Sequence, residues 1–285
     1  MERIIIKAPA KINLGLNIIS KRNDGFHNLE TIFYPINDLF DIITFEKAAE
    51  SSFSSNIELP SDSTGNLILK AKEKLEELTG RGLKTKIKLD KTIPIGAGLG
   101  GGSSDAAKTL IALNELYELK IKPYKIRSIA LELGSDLPFF LNPVPSFAES
   151  RGELLVPLKF NIDFPILLVN PNIHISTKGA FQNITPLNEH IDYLKISSFS
   201  KQKLLKLNSM LKNDFEEYIF AKYPQIKGIK TEMRKLGAFF SMMSGTGSTV
   251  YGIFENLSDA KKAEDNFRDK YFTFLQKLSF IELQS

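Results

Sequence analysis

The stretch Ile93-Pro94-Ile95-Gly96-Ala97-Gly98-Leu99-Gly100-Gly101-Gly102-Ser103-Ser104-Asp105-Ala106-Ala107 constrains this chain more than any other. Five of the seven residues from Gly96 to Gly102 are glycine, so the backbone there can take positive φ and approach a ligand without a Cβ in the way. The run leads directly into a helix start. Unpaired N–H groups and the positive end of the helix dipole then converge on one point, which suits a phosphate. Pro94, Gly96, Gly98, Leu99, Gly100, Gly101 and Gly102 form the candidate phosphate-binding loop. Ser103 and Ser104 add hydroxyls that can donate to phosphate or help hold a metal ion bridging phosphates.

Two other glycine-rich patterns are excluded by context. Gly96-x-Gly98-x-x-Gly101 matches the dinucleotide pattern, but that motif needs a second strand ending in an acid ~20 residues on. Here a helix is followed by another helix, from Ser104 to Gly134. A Walker A loop ends in Gly-Lys-Ser/Thr, and no lysine stands there. A flexible glycine hinge is the purely structural alternative.

Around the loop the pattern predicts strands first. Ile4–Lys7, Ile12–Ile18, Leu29–Ile36 and Phe40–Phe45 are apolar or alternating runs separated by turn-formers. Ser51–Thr64 is polar and reads as a loop or irregular strand. A helix is expected from Gly65 or Asn66 to Thr79, stopped by Gly80. Thr85–Leu89 alternates as a strand. Ser103-Ser104-Asp105 supplies N-cap chemistry for a second helix to about Leu119, and a third runs from Pro123 to Gly134. Pro143–Gly152 reads as a loop, Phe164–Val169 as a buried strand, and the polar stretch to Asn208 as a connection with helical pieces. Helices follow at Tyr223–Leu236 and Ser258–Asp269, with strands at Ala238–Ser244 and Thr249–Phe254 joined by Gly245-Thr246-Gly247. The class is α+β, in two domains, 1–155 and 156–285.

Composition narrows the partners. A net charge of +4 suits an anionic small ligand and is too weak to argue for nucleic acid. With no cysteine, thiolate nucleophiles, thiolate metal sites and disulfides are excluded. The three histidines, His27, His174 and His190, are far apart in sequence. Lys7 and Lys11 interrupt the N-terminal apolar run, unlike a signal peptide. No apolar stretch reaches the ~20 residues of a membrane span. The expectation is a cytoplasmic protein.

Phosphoryl transfer to an alcohol needs a group that takes or orients the hydroxyl proton, and cations that stabilise charge. Asp136, within Leu133-Gly134-Ser135-Asp136-Leu137-Pro138, is an acid among apolar residues; it is either a base or the cap of a short helix at Leu137. Lys11, at the start of an alternating strand, either faces inward toward a phosphate or hydroxyl or is an exposed lysine. Lys21-Arg22-Asn23-Asp24-Gly25-Phe26-His27 fits recognition of a ring bearing phosphate, or only a hairpin turn at Asp24-Gly25. Ser244–Ser248 is a second phosphate-facing loop or a plain glycine turn.

Several segments taken together resemble the GHMP kinase superfamily, which includes galactokinase, homoserine kinase, mevalonate kinase and phosphomevalonate kinase. They are Ala8-Pro9-Ala10-Lys11-Ile12-Asn13-Leu14, Lys21–His27, Gly96–Ala107, Gly134–Phe140, Asn213-Asp214-Phe215-Glu216 and Ser244–Ser248. The resemblance implies an N-terminal ATP-binding domain like ribosomal S5 domain 2 and a ferredoxin-like C-terminal domain. It implies an ATP-dependent small-molecule kinase with Asp136 as base and Lys11 as its cationic partner. Asn66 falls at a position contacting the adenine nucleotide, and Asn13 at one contacting the substrate. Phe26 and His27 match positions that hold a cytosine ring, with Phe26 replacing a frequent tyrosine. That match points to a phosphorylated small molecule as substrate, an alcohol carrying cytidine diphosphate. A mevalonate- or homoserine-directed kinase would have no use for Lys21–His27 in that role, and a ligand sensor that has lost catalysis would have no use for Lys11, Asp136 and an intact glycine loop. Residues 173–181 are implied to line the substrate pocket, without individual roles. No separate carboxylate for Mg2+ stands out, so the metal is expected to ride on ATP with a loop serine.

Overall fold

The computed structural model describes residues 2–59, 62, 64–186, 190–195 and 210–277. The chain condenses into two compact units, each assembled from separate segments. Unit 1 is Met1–Ala10, Asn37–Ile95 and Gly100–Pro143; unit 2 is Lys11–Ile36, Gly96–Leu99 and Val144–Ser285.

Strands β1 (Arg3–Lys21) and β2 (His27–Lys47) each pass through both units. The four short strands expected in this region are thus two long ones. Ala8, Pro9 and Ala10 are small and buried and let β1 continue, while Asn37 and Asp38 turn outward without leaving β2.

In unit 1, β2 pairs antiparallel with β4 (Thr85–Asp90) from Ile42 to Lys47, and β3 (Ser52–Ser55) adds in parallel to β4. The alternation of β4 is complete: Thr85, Ile87 and Leu89 are buried and the lysines between them exposed. Helix α1 (Leu67–Thr79) begins at the Asn66 cap and ends at Gly80 in the left-handed region, as its sequence requires. Its Ile68, Ala71 and Leu75 pack with Ala106, Leu110 and Leu113 of α2 (Gly101–Leu116) and with Ile87 and Leu89 of the sheet. Each leucine or isoleucine among them contributes ~1.5–3 kcal/mol by burial. Helices α3 (Pro123–Leu133) and α4 (Leu137–Leu141) complete this core.

Unit 2 holds a hairpin and a second sheet. β5 (Ser146–Glu149) pairs with β2 at Thr31–Phe33 and with β6 (Leu154–Pro157). The sequence presents Pro143–Gly152 as a loop because β5 is only four residues long, too short to display a period. The second sheet has the order β10-β7-β9-β8, all antiparallel: β7 (Ile166–Asn170), β8 (Phe240–Met243), β9 (Val250–Ile253) and β10 (Phe272–Gln276). Before it closes come α5 (Thr177–Gln182), α6 (Phe215–Lys222), α7 (Pro224–Lys235) and α8 (Leu257–Phe267). Strand, helices, two strands, helix, strand with the fourth strand beside the first is the ferredoxin-like arrangement. Ile226, Ile229 and Met233 of α7 and Ala260, Ala263 and Phe267 of α8 supply its apolar core with Leu167 and Val169. No helix among the described residues is long and apolar enough to cross a membrane.

Candidate active site

The glycine loop has the local geometry its composition demands. Gly96, Gly98 and Gly100 lie at φ 62°, 76° and 71°. Helix α2 starts two residues earlier than the serines suggest. Its N-cap is Gly100, with no side-chain cap, and Ser103 and Ser104 sit inside the first turn. The cap is glycine because Gly100 is left-handed, a conformation a serine cap does not take at low cost. The helix ends at Leu116 rather than Leu119. The first helical bond is Ser104 N–H to Gly100 carbonyl at 2.9 Å, so the N–H groups of Gly101, Gly102 and Ser103 precede any helical acceptor. No acid lies in the first turn. An anion therefore meets uncompensated positive dipole there. Ser104 is fully buried and its hydroxyl oxygen has no partner among the described residues.

Within unit 1, Asn66 is near this helix start. Its Oδ1 accepts from Ile68 N–H at 3.0 Å, and the next residue, Leu67, lies 3.8 Å from where a Cβ on Gly102 would stand. Asp136, also in unit 1, precedes α4 and is half-buried, and its side chain does not cap that helix. Asp136 thus occupies the N-cap position of α4 without a side-chain bond to the helix's first amides. Pro94 belongs to the same unit, at the loop's entry.

Within unit 2, Lys11 is buried at 3% exposure, which rules out the exposed-lysine reading. Its Nζ donates to Asn13 Oδ1 at 2.6 Å and lies 5.1 Å from the Phe33 ring centre. Its N–H donates to Leu99 carbonyl at 3.0 Å, tying β1 to the loop. Asn13 donates from Nδ2 to Thr31 Oγ1 at 3.0 Å, and its N–H reaches Ser244 Oγ at 3.3 Å. Lys11, Asn13 and Gly96–Leu99 are thus brought together.

The Ser244–Ser248 loop joins them. Ser244 Oγ donates to Gly98 carbonyl at 2.8 Å, and Thr249 N–H to Ala97 carbonyl at 3.2 Å. A Cβ on Gly98 would stand 2.1 Å from Ser244 carbonyl oxygen. The second glycine turn is the seat on which the first one rests. Asn213 fixes that seat, donating to the Met243 and Gly245 carbonyls at 2.8 Å each.

Lys21–His27 does form the tight turn, with Arg22 N–H to Phe26 carbonyl at 2.8 Å and Gly25 at φ 86°. It also presents a ring: Phe26 is 49% exposed, with the Arg151 guanidinium 4.8 Å from its centre. His27 is buried and stacks on Phe181 at 5.2 Å. Burial, helped by the charge of Lys21, pushes the His27 pKa below its ordinary value, which favours the neutral imidazole. Residues 173–181, left without roles by sequence, contribute two groups: Phe181 beside His27, and His174, whose Nδ1 lies 3.1 Å from where a Cβ on Gly96 would be. Their only sequence signal is that they are the imidazole and the aromatic ring of the stretch Ile173–Phe181.

Among the described residues no group of three or more His, Asp or Glu could hold a metal ion. An oxygen at this helix start with the chemistry to meet a hard cation is the Ser104 hydroxyl, which has no partner among the described residues.

Comparison with known proteins gives two family matches: GHMP kinases N terminal domain over residues 66–142, and GHMP kinases C terminal over 196–273. The 4-diphosphocytidyl-2-C-methyl-D-erythritol kinase of Chlorobium phaeobacteroides is 43% identical over 281 residues, covering 95% of this chain and 96% of that protein. The enzyme of the same name from Cytophaga hutchinsonii is 43% identical over 249 residues, 86% of this chain and 90% of that one. Among solved structures, a 4-(cytidine 5'-diphospho)-2C-methyl-D-erythritol kinase superposes with TM-score 0.79 at 31% identity, covering 95% of this chain and 98% of that chain. Homoserine kinase from Cytophaga hutchinsonii shares the fold alone, with TM-score 0.71 at 17% identity and coverage of 98% and 95%.

Proposed function

This chain belongs to the GHMP kinase family, and we propose that within it the chain transfers the γ-phosphoryl group of ATP to the 2-hydroxyl of 4-diphosphocytidyl-2-C-methyl-D-erythritol. The reaction serves the non-mevalonate route to isoprenoid precursors. The single observation that carries the reading is the glycine loop. It has left-handed glycines, an acid-free helix start and a bond from Lys11, in a chain 43% identical to kinases of that name.

The loop amides of Gly101, Gly102 and Ser103 hold phosphate oxygens, and Asn66 contributes on the nucleotide side. Asp136 takes the proton of the acceptor hydroxyl as the phosphoryl group arrives, and Lys11 stabilises the negative charge on the acceptor side. Mg2+ carried by the phosphates supplies charge neutralisation, with Ser104 as the protein oxygen that would hold it. Asn13 orients the substrate. Phe26, His27 and Phe181 recognise the cytosine: Phe26 offers an open face for stacking, and a neutral His27 can both donate and accept. Support for His27 in that role is its seat on Phe181, which fixes the ring's plane.

The test is ADP release with ATP and Mg2+ across a panel of the diphosphocytidyl alcohol, mevalonate, homoserine and galactose. Turnover confined to the cytidyl substrate is expected. Turnover with another alcohol would keep the kinase and overturn the substrate.

A further inference from the structure

A buried ion group lies in unit 1 beside the helix end of the glycine loop, and none of the roles above uses it. Lys91 Nζ donates to Asp105 Oδ2 at 2.8 Å and to Asp41 Oδ2, and its side chain is 5% exposed against 4% and 0% for the two acids. Asp41, on β2, also holds backbone: its Oδ1 accepts from the N–H groups of Thr92 at 2.6 Å and Ile93 at 2.9 Å, at the loop's entry. The Lys91 backbone is itself clasped by Asn56, whose Oδ1 accepts from its N–H at 2.7 Å and whose Nδ2 donates to its carbonyl at 3.0 Å. Asp105 belongs to α2, one residue past Ser104. Gly101 leaves room for the group as it stands, since a Cβ there would lie 2.9 Å from Lys91 Nζ and 3.0 Å from Ile93 Cγ2.

Three side chains from β2, the residue after β4, and α2 therefore converge under one turn. Their bonds run to the residues entering the loop and to the helix leaving it. Burying three ionisable groups is costly unless each is paired, and removing one partner usually destabilises more than the pair contributes. The three side chains are almost entirely out of solvent, where hydrogen bonds between charged groups are strengthened.

We propose that Asp41, Lys91 and Asp105 are positioning residues that tie the entry of the phosphate loop to the first turns of α2, so that the amides of Gly101–Ser103 keep a fixed geometry toward a nucleotide phosphate. The inference rests on the kinase reading for what the loop binds. Asp105 is the member through which α2 is held. Its Oδ2 accepts from Lys91 Nζ at 2.8 Å, and that acceptor oxygen is what the link requires.

That requirement supplies the test. Asp105→Asn keeps an oxygen for Lys91, whereas Asp105→Leu fills a similar volume with none; both leave Lys91 and Asp41 as a balanced pair. Steady-state kinetics with the cytidyl alcohol should give Asp105→Asn an ATP KM within about two-fold of wild type. Asp105→Leu should raise the ATP KM about ten-fold or more, a loss of ~1.4 kcal/mol, with the KM for the alcohol unchanged. Equal ATP KM values in the two variants would overturn the proposal, as would a fall in kcat alone or a parallel rise in both KM values. If Asp105→Leu is insoluble, Asp105→Ala cuts the same link by removing bulk and is read against the same outcomes. Wild-type turnover in the same assay separates this result from a failure of the kinase reading, since a silent wild type would strike that reading and not the loop's tether.

Discussion

Asp105→Asn also makes a prediction about stability that can be worked from the buried ion group. Asp105 is held near a pKa of about 7 by burial, opposed by Lys91 and reinforced by Asp41, against an ordinary 3.8. Between those values the folded protein keeps a proton that the unfolded chain has released. Stability falls with rising pH wherever the folded state binds more protons, so this acid is neutral in effect below about pH 4 and increasingly costly up to about pH 7. Three units at 1.36 kcal/mol each give about 4 kcal/mol as an upper figure; coupling to Lys91 reduces it to about 2–4 kcal/mol. Asparagine is the isostere of the protonated acid and carries no such cost. Its stability advantage over wild type should grow by that amount from pH 4 to pH 8. That growth corresponds to roughly 3–7 °C in Tm for a chain of this size. Urea or thermal unfolding of both proteins at one-unit pH steps reads it. Curves separated by a constant from pH 4 to pH 8 would show that Asp105 is ionised in the folded protein throughout, and the argument from burial would fail.

The remaining predictions concern the reaction. Asp136→Asn should fold and bind ATP as wild type does while kcat drops by about 10²–10⁴-fold, the usual worth of a general base; near-normal turnover with tight ATP binding would remove Asp136 from the mechanism. Gly98→Ala places a Cβ 2.1 Å from Ser244 carbonyl oxygen at φ 76°, so thermal unfolding should show a loss of about 2–5 kcal/mol from overpacking and backbone strain. An unchanged Tm would mean that the seat between the two glycine turns is loose. Phe26→Ala removes a half-exposed ring, so Tm should hold while the KM for the cytidyl alcohol rises about ten-fold, stacking on an aromatic being worth ~1–3 kcal/mol per base. A rise in the ATP KM instead would move Phe26 to the other substrate.

What the sequence revealed was local, and what it concealed was assembled at a distance. Asn66, Gly80, Pro123 and Gly134 mark helix ends by their own backbone chemistry, and α1 and α3 lie where these residues put them. The antiparallel pair β8 and β9 around Gly245-Thr246-Gly247 was equally plain, its strands short but its turn unmistakable. Ser103-Ser104-Asp105 are good capping residues and suggest a later start for α2 than the structure has, because the left-handed Gly100 has already turned the chain. Pro9 and Asn37-Asp38 look like strand breaks in one dimension but are accommodated in three, so β1 and β2 run on. Within the site, Lys11 showed its value only through its burial. The ion group joins residues 50 and 14 positions apart, a spacing that belongs to no motif. Ser244 and Gly98 meet across 146 positions for the same reason.

The interleaving of the two units bears on how the chain is made. A ribosome releases Met1–Ala10, Asn37–Ile95 and Gly100–Pro143 first, so everything unit 1 contains is available once half the protein has emerged. Residues Lys11–Ile36 emerge among the earliest, yet they belong with Val144–Ser285 and must wait for segments synthesised last. During that interval Leu16 and Ile18, which pack in the finished fold with Leu167, Val169 and Phe215, lack those partners. At ~5–20 residues per second the wait lasts several seconds or more. A nascent chain stalled just past Pro143 should therefore be a strong client for holdase chaperones, and become a poor one as soon as the ferredoxin-like sheet is complete.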